Sequence, residues 1–394
     1  MVSFSSRQIT VFAATFFCMV SRRASLEGWS ILKPLVQANT GMASVWLGAC
    51  DTMYMLLYAI GEFVNGCLSE KYAVHKVVAA GLLAASGALF ALGALGGFGL
   101  WVPIVATGLW AIEGYAQSTV YPGCTKIMGQ YFSHGIGKVM GLWTVNASTG
   151  NILGASLVTF CIGVCQFRWD AVLVVLASLM LLSGFLTLLL AAPDRELTEP
   201  LVPVPHMSFV EALQVKGIIN YSLAYSCVKM MNYTVMMWLP LYMSYNGVGT
   251  SSVGIVMILY EIAGGIGSFG VGWITDRLKS RLLPLIVLVC VSIAPAIVLA
   301  VASETAVFAV CSAALGLSHI AISNMISGVV SIELGKKKVG LITGIIDGTA
   351  SLAAGLGMFV IGVLQSYDWT FVWGFMVLVN VAALVPLILL KKTS

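Results

Sequence analysis

The sequence predicts an all-α membrane protein of twelve transmembrane helices in two six-helix bundles. Three observations predict it: too few charged residues to clothe a water-soluble fold, apolar windows that split six and six, and a motif repeated at matching positions. Of the 394 residues, 59% are hydrophobic and only 9% are charged. Mean hydropathy is +0.97. Soluble domains carry roughly a quarter charged residues, so lipid must replace the missing polar surface. The net charge of +4 is too small to point to nucleic acid. The nine cysteines form no CxxC pair. They carry no redox signature and, with no His or carboxylate cluster, no metal signature.

The apolar windows fall at about 8–35, 43–67, 76–97, 100–122, 137–163 and 169–191, then at about 217–243, 250–273, 282–302, 306–332, 339–365 and 369–390. Each is long enough to cross a hydrocarbon core, which takes about 20 residues. The first window follows Arg7 and has no small-residue cleavage site, so it reads as a span and not as a removed signal. Pro193, Pro200, Pro203 and Pro205 crowd the longest polar stretch, and such proline density favours an extended linker. The expected organisation is a first bundle at 1–192, a cytoplasmic linker at 193–214 and a second bundle at 215–394.

Lys and Arg set the orientation. Arg7, Lys71, Lys76, Lys138, Arg195, Lys216, Arg277, Lys279, Arg281, Lys336, Lys337, Lys338, Lys391 and Lys392 fall on one side, with both termini. The opposite loops offer little beyond Arg168. Both termini are therefore expected in the cytoplasm.

The repeat lies after spans 2 and 8. Gly66 is followed by Glu70 and Lys71, and Gly272 by Asp276 and Arg277. The second copy lies 206 positions after the first. Parallel repeats of this kind mark two-bundle transporters. The pattern resembles the cytoplasmic signature loop of the major facilitator superfamily. The resemblance implies a conformational role: the glycine permits close helix approach, and the acid and base latch neighbouring helices in one access state.

A charge inside a span is expensive and marks a pathway or a pair. The candidates are Arg22, Arg23, Glu27, Lys33, Asp51, Glu62, Glu113, Lys229, Glu261 and Asp347. Arg22 lies about 14 residues into span 1, roughly 21 Å at 1.5 Å per residue. Lys229 lies about 12 residues into span 7, the equivalent helix of the second half. The two are 207 positions apart, so the repeat expects one cation per half at matching depth. Convergent cations make an anion site, with the Arg fork suited to phosphate or carboxylate and Lys adding a point charge. Alternatively each cation is neutralised by a carboxylate such as Asp51, Glu261 or Asp347. Arg23 points about 100° away from Arg22 and reads as a helix contact, although either arginine can serve as the ligand. Lys33, just before Pro34, reads as interfacial. Tyr58, Gln117, Tyr121, Asn146, Ser148, Asn232, Tyr233 and Asp347 can complete a polar cavity, or simply bond between helices. Lys126 can guard the inner mouth or be a plain topogenic charge. Gly150, Gly154, Gly264, Gly265 and Gly267 read as close helix contacts. His319 is as readily a locally satisfied histidine as a substrate or proton ligand.

Several strings resemble the organophosphate:phosphate antiporters, and within them the eukaryotic sugar-phosphate exchangers, including glucose-6-phosphate transporters. They are Ser21-Arg22-Arg23, Leu47-Gly-Ala-Cys-Asp51-Thr52, Tyr58-Ala-Ile-Gly61, Gly150-Asn-Ile-Leu-Gly154, Asn232-Tyr-Thr234 and Ile345-Ile-Asp347-Gly-Thr349-x-Ser351. The resemblance implies exchange of a phosphorylated metabolite, plausibly a hexose phosphate, for inorganic phosphate. It implies alternating access by rocking halves, Arg22 as the span-1 phosphate ligand, no cofactor and action as a monomer in the lipid bilayer. It points to the endoplasmic reticulum, another endomembrane or the plasma membrane. Two departures weigh against a glycerol-phosphate carrier: Asn232 and Ala147 stand where that bacterial branch has arginine and histidine, and Lys229 lies one turn earlier. The competing expectations are a facilitator for another organic anion, proton-coupled through Asp51, Glu261 or Asp347, and a non-transporting sensor or scaffold. No hydrolase triad or paired catalytic carboxylates point to an enzyme.

Overall fold

The computed structural model describes residues 5–132, 139, 142, 143, 145–192, 209–278, 280–335 and 339–393. At 63, 66–71, 209, 210, 276, 332, 335, 339–341, 343, 392 and 393 it describes the backbone alone. The fold is all-helical among these residues. In chain order the main helices are α1 (Ser6–Thr40), α2 (Ser44–Lys71), α3 (Val74–Gly97), α4 (Pro103–Gln117), α5 (Val120–Tyr131), α6 (Asn146–Gly163) and α7 (Trp169–Leu190). They continue with α8 (Ile218–Tyr245), α9 (Thr250–Leu278), α10 (Leu282–Leu299), α11 (Thr305–Asn324), α12 (Val339–Gln365), α13 (Trp369–Ala382) and α14 (Leu384–Thr393). Among the described residues, eight helical stretches are long and apolar enough to cross a membrane. Leu189, Phe269, Val310 and Leu378 are exposed on them, as suits faces that meet lipid. Most of the expected linker, and the loop at Lys336, Lys337 and Lys338, lie outside the described residues.

The chain forms two compact units. One comprises Met1–Met42 and Ala49–Leu201, the other Ala43–Gly48 and Val202–Ser394. In the first, α1 packs on α5, α6 and α7, and α3 packs on α4, α5 and α7. Helix α1 starts on a capping box in which Ser5 and Gln8 bond reciprocally, and ends on Gly41 at φ 68°. Almost every residue from Val20 to Lys33 is buried, so this stretch is enclosed on all sides. Span 4 is divided into α4 and α5 at Ser118 and Thr119. Pro122 has no N–H to offer the Ser118 carbonyl, and the turn tightens: Thr119 N–H bonds Ala116 O at 3.4 Å.

In the second unit, α9 packs on α11, and α8 on α11, α12 and α13. Helix α11 runs into a π-helical turn, Met325–Val330, which packs beside α8 and α12. Asp368 caps α13 by accepting the Thr370 N–H at 2.7 Å.

The repeat reaches down to individual packing contacts. A Cβ on Gly114 of α4 would lie 2.3 Å from the Tyr54 carbonyl of α2. A Cβ on Gly316 of α11 would lie 2.1 Å from the Tyr260 carbonyl of α9. Only glycine lets those backbones touch. Tyr54 and Tyr260 are themselves 206 positions apart. Gly150, Gly154, Gly264 and Gly267 also lack room for a side chain, whereas Gly265 faces open space and makes no close contact.

Candidate functional site

In the first unit the site grows from the middle of α1. Arg22 is 5% exposed, and its guanidinium sits 5.1 Å from the ring centroid of Tyr58 on α2. That distance is within cation–π range. Tyr58 stacks on Tyr54 at 6.1 Å. The Tyr54 hydroxyl donates to Gln117 Oε1 at 2.8 Å. Gln117 Nε2 in turn donates to Ser25 Oγ at 3.0 Å and to Glu113 Oε1. Ser25 Oγ donates to the Arg22 carbonyl at 2.8 Å. Arg22, Tyr58 and Gln117, three residues singled out from sequence, thus share one network on α1, α2 and α4, in which Arg22 and Gln117 are buried and Tyr58 is half-buried. Ser25, Tyr54 and Glu113 belong to it and were not assigned a site role from sequence. Helical spacing was the available signal for Ser25, which lies one turn beyond Arg22.

Other first-unit candidates stand apart from this network in their described contacts. Asn146 is buried and donates to the Trp143 carbonyl, while Trp143 Nε1 donates to Thr15 at 3.1 Å. Ser148 on α6 and Lys126 on α5 are half-buried, and Tyr121 is exposed. Arg23 has its Cβ against Gly150 of α6, as a helix-contact residue would.

Lys33 is a correction. It is not interfacial: α1 continues past Pro34 to Thr40, so the lysine lies nearly two turns inside the helix and is fully buried. It pairs with Asp51 of α2, whose Oδ1 also accepts Trp29 Nε1–H at 3.2 Å. A buried ammonium demands such a partner.

In the second unit, Lys229 of α8 is nearly buried. Its Nζ lies 2.8 Å from Asp347 Oδ1 and 2.7 Å from Ser351 Oγ, both on α12. The Tyr225 hydroxyl donates to the same Asp347 oxygen at 3.1 Å. Rings of Tyr225 and Tyr233 stand 5.5 and 5.9 Å from Nζ. Lys229, Tyr233 and Asp347 are therefore together, and of the two sequence readings of Lys229 this structure displays the neutralised one. Tyr225 precedes Lys229 by one turn, and Ser351 follows Asp347 by one turn. Asn232 is held elsewhere, by the hydroxyl of Tyr260 on α9. His319 is fully buried on α11.

Of the repeated loops, the side chains of Gly66, Glu70, Lys71 and Asp276 lie outside the described ones. At Gly272 a Cβ would meet nothing within 4 Å, so the close approach expected of this glycine is not made among the described residues. Arg277 lies 3.7 Å over the Trp273 ring. Arg281 bonds Thr275 at 2.7 Å and pairs with Glu333 at 3.0 Å, tying the end of α9 to the segment after the π turn.

The sequence profile described as Major Facilitator Superfamily matches residues 11–358. The chain is 28% identical to sugar phosphate exchanger 3 of Mus musculus over 484 residues, covering 100% of this chain and 95% of the relative. It is 25% identical to a glucose-6-phosphate exchanger of Mus musculus over 395 residues, covering 86% and 77%. Among solved structures it resembles a bacterial homologue of the human lysosomal transporter Spinster, with TM-score 0.81, 12% identity and coverage of 99% and 98%. That likeness is one of fold, and it extends over essentially the whole chain. Helix content, apolar spans and the profile agree: this multi-pass integral membrane protein belongs to the major facilitator superfamily.

Proposed function

We propose that this chain exchanges a phosphorylated sugar, with hexose phosphate the leading candidate, for inorganic phosphate by alternating access. Arg22 is the phosphate ligand of the first unit and Lys229 that of the second. The observation that carries this reading is the Lys229 cluster: a nearly buried ammonium whose carboxylate partner, Asp347, keeps 31% of its side-chain surface exposed. A phosphoryl group has the charge and the acceptor oxygens to take the place of that carboxylate. The names of the curated relatives support the same substrate class. Tyr58 and Gln117 support Arg22, and Tyr233 lies beside Lys229. Asp347 acts as the internal anion that Lys229 keeps when phosphate is absent. The two Gly-x-x-x-acid-base loops latch the access states. The protein works as a monomer with bundles at 1–192 and 215–394, in an endomembrane or the plasma membrane, both termini cytoplasmic.

The test is counterflow. Phosphate-loaded liposomes carrying the purified protein are assayed for uptake of labelled glucose-6-phosphate, glycerol-3-phosphate, phosphoenolpyruvate and phosphate. Glucose-6-phosphate uptake is expected to require internal phosphate, and to be lost in Arg22→Ala and Lys229→Ala. Wild-type phosphate exchange by both variants would remove the two cations from the site. Uptake that ignores internal phosphate would exclude the antiport.

A further inference from the structure

The second unit carries a groove that the exchange reading does not use. It holds about 420 Å³ and lies between α8, α12 and the joint of α13 with α14. The sequence accounts for it. Pro386 has no N–H to offer the Ala382 carbonyl, and the helix breaks at Ala383, between α13 and α14. Around the same groove, α8 supplies Ser226 and Cys227, and α12 supplies Ala353. Side chains this short do not fill the space beside the break. Met230 bounds the groove at the end farthest along α8. Gly357 of α12 makes room for it: a Cβ on that glycine would lie 2.7 Å from Met230 Sδ.

The lining sets what fits. It contains no charged side chain, and its hydroxyl, Ser226 Oγ, already donates to the Ser222 carbonyl at 2.8 Å. A polar guest would lose its hydration there and gain no partner. Ala353, Ala382 and Pro386 belong to stretches long and apolar enough to cross a membrane. Met230 lies 12 residues past the start of α8, about 18 Å at 1.5 Å per residue. The groove is thus about as deep as one leaflet of a hydrocarbon core roughly 30 Å thick. At that level the surrounding fluid is acyl chain, and an unfilled apolar groove forfeits its contacts.

Positive charge gathers at the shallow end. Gly217, just before α8, packs on α14: a Cβ on it would lie 3.2 Å from Leu390 Cδ2. The sequence neighbours of this contact, Lys216 and Lys391, are both exposed, and so they stand at one end of the groove. Lys391 is five residues beyond Pro386, about 8 Å along the helix. Lys392 follows it. Two acids lie near this end: Glu211, exposed on the short helix Phe209–Leu213, and Glu333, which is paired with Arg281.

We propose that this groove binds an anionic phospholipid, with an acyl chain between α8, α12 and the α13–α14 joint and the headgroup phosphate over Lys216 and Lys391. An ammonium on a long flexible stem suits a headgroup at the membrane surface. In the orientation proposed above these lysines face the cytoplasm, the side on which anionic lipids are concentrated. The chain packs against the turn of α8 that carries Lys229, which lies between Cys227 and Met230 in sequence. The lipid thereby ties the helix of the second cation to the last span.

The test is native mass spectrometry of the purified, delipidated full-length protein. It is titrated with dioleoyl phosphatidylserine or dioleoyl phosphatidylcholine, in wild type, in Lys216→Gln with Lys391→Gln, and in Ala382→Phe. Wild type is expected to retain one phosphatidylserine and to prefer it to phosphatidylcholine by roughly 25-fold, about fivefold per lysine. The double lysine variant, changed at exposed positions, should bind the two lipids alike. Ala382→Phe, which adds a ring to the lining, should lower binding of both. Equal binding of the two lipids by wild type overturns the proposal without recourse to any variant. Glycerophosphoserine, the same headgroup without chains, should compete poorly. If it displaces phosphatidylserine at concentrations equal to those of the lipid, the groove holds no chain and the proposal fails. A dimer without bound lipid would assign the groove to a second copy, and overturns the proposal too. None of these readouts involves transport, so this site and the exchange reading stand or fall separately.

Discussion

Replacing Asp347 by Asn tests whether this carboxylate is a substrate ligand or a stand-in for the substrate. The Lys229 Nζ–Asp347 Oδ1 distance is 2.8 Å. At an effective dielectric of about 20, Coulomb's law gives roughly 6 kcal/mol for the bare pair at that distance. Dehydration of both partners offsets most of this, and couplings measured for close charge pairs run from about 1.5 to 7 kcal/mol. Asp347 is about one-third exposed, which places it near the lower end. Taking about 2 kcal/mol as the advantage phosphate gains when it no longer competes with the carboxylate, Asp347→Asn should bind phosphate roughly 30-fold more tightly. Release then slows, so exchange should saturate at lower phosphate and turn over more slowly. Isothermal titration with phosphate gives the first quantity and counterflow rates the second. Asparagine keeps the side-chain size and a hydrogen-bonding oxygen for Lys229 and Tyr225, so local packing is conserved. Phosphate binding that weakens in Asp347→Asn as it does in Lys229→Ala would refute the internal-anion argument and make Asp347 a ligand.

Two further expectations concern stability, read as thermal unfolding in detergent. Asp51→Asn should destabilise the first unit by about 3–5 kcal/mol, because it strips a fully buried ammonium of its partner. The double change Lys33→Met with Asp51→Leu should recover most of that loss, and single variants as stable as wild type would show that the pair does not hold α1 to α2. Gly316→Ala should cost about 1–3 kcal/mol, since the new Cβ would fall 2.1 Å from the Tyr260 carbonyl, whereas Gly265→Ala, with no atom within 4 Å, should be neutral.

What the sequence could reveal divides along a physical line. Apolar windows report depth, because a span must match the hydrocarbon thickness. The expected windows at about 169–191 and 250–273 accordingly reappear as α7 and α9. Depth also located Arg22 and Lys229 correctly as mid-helix cations. Azimuth is a different quantity. Whether Lys33 meets Asp51 or the interface depends on how α1 is rotated against α2 and on where α1 ends, and both follow from packing. The break at Ser118 and Thr119 is local chemistry and was readable from Pro122. The bond from Tyr260 to Asn232 depends on how α9 is rotated against α8 and so has no local signal in the sequence, although Tyr260 is the repeat partner of Tyr54.

The two units have used the same repeat to build chemically different sites. In each, a tyrosine at the equivalent position, Tyr54 or Tyr260, lends its carbonyl to a glycine-permitted crossing and its hydroxyl to a side-chain amide. The amides differ. Gln117 of the first unit passes the bond on toward Ser25 and Glu113, beside Arg22. Asn232 of the second unit lies on α8 itself, three residues beyond Lys229. The cations differ as well: a planar guanidinium stacks on an aromatic face, while a compact ammonium sits among a carboxylate, a hydroxyl and two tyrosine rings. An arginine keeps its charge under all conditions, whereas Lys229 is held by the Asp347 carboxylate. The first cluster therefore surrounds its cation with an aromatic ring and a hydrogen-bonded network, and the second holds its cation against a carboxylate that the proposed exchange would displace. Both clusters start from equivalent helices, since Arg22 lies on α1 and Lys229 on α8, and they differ in the side chains that surround those two cations.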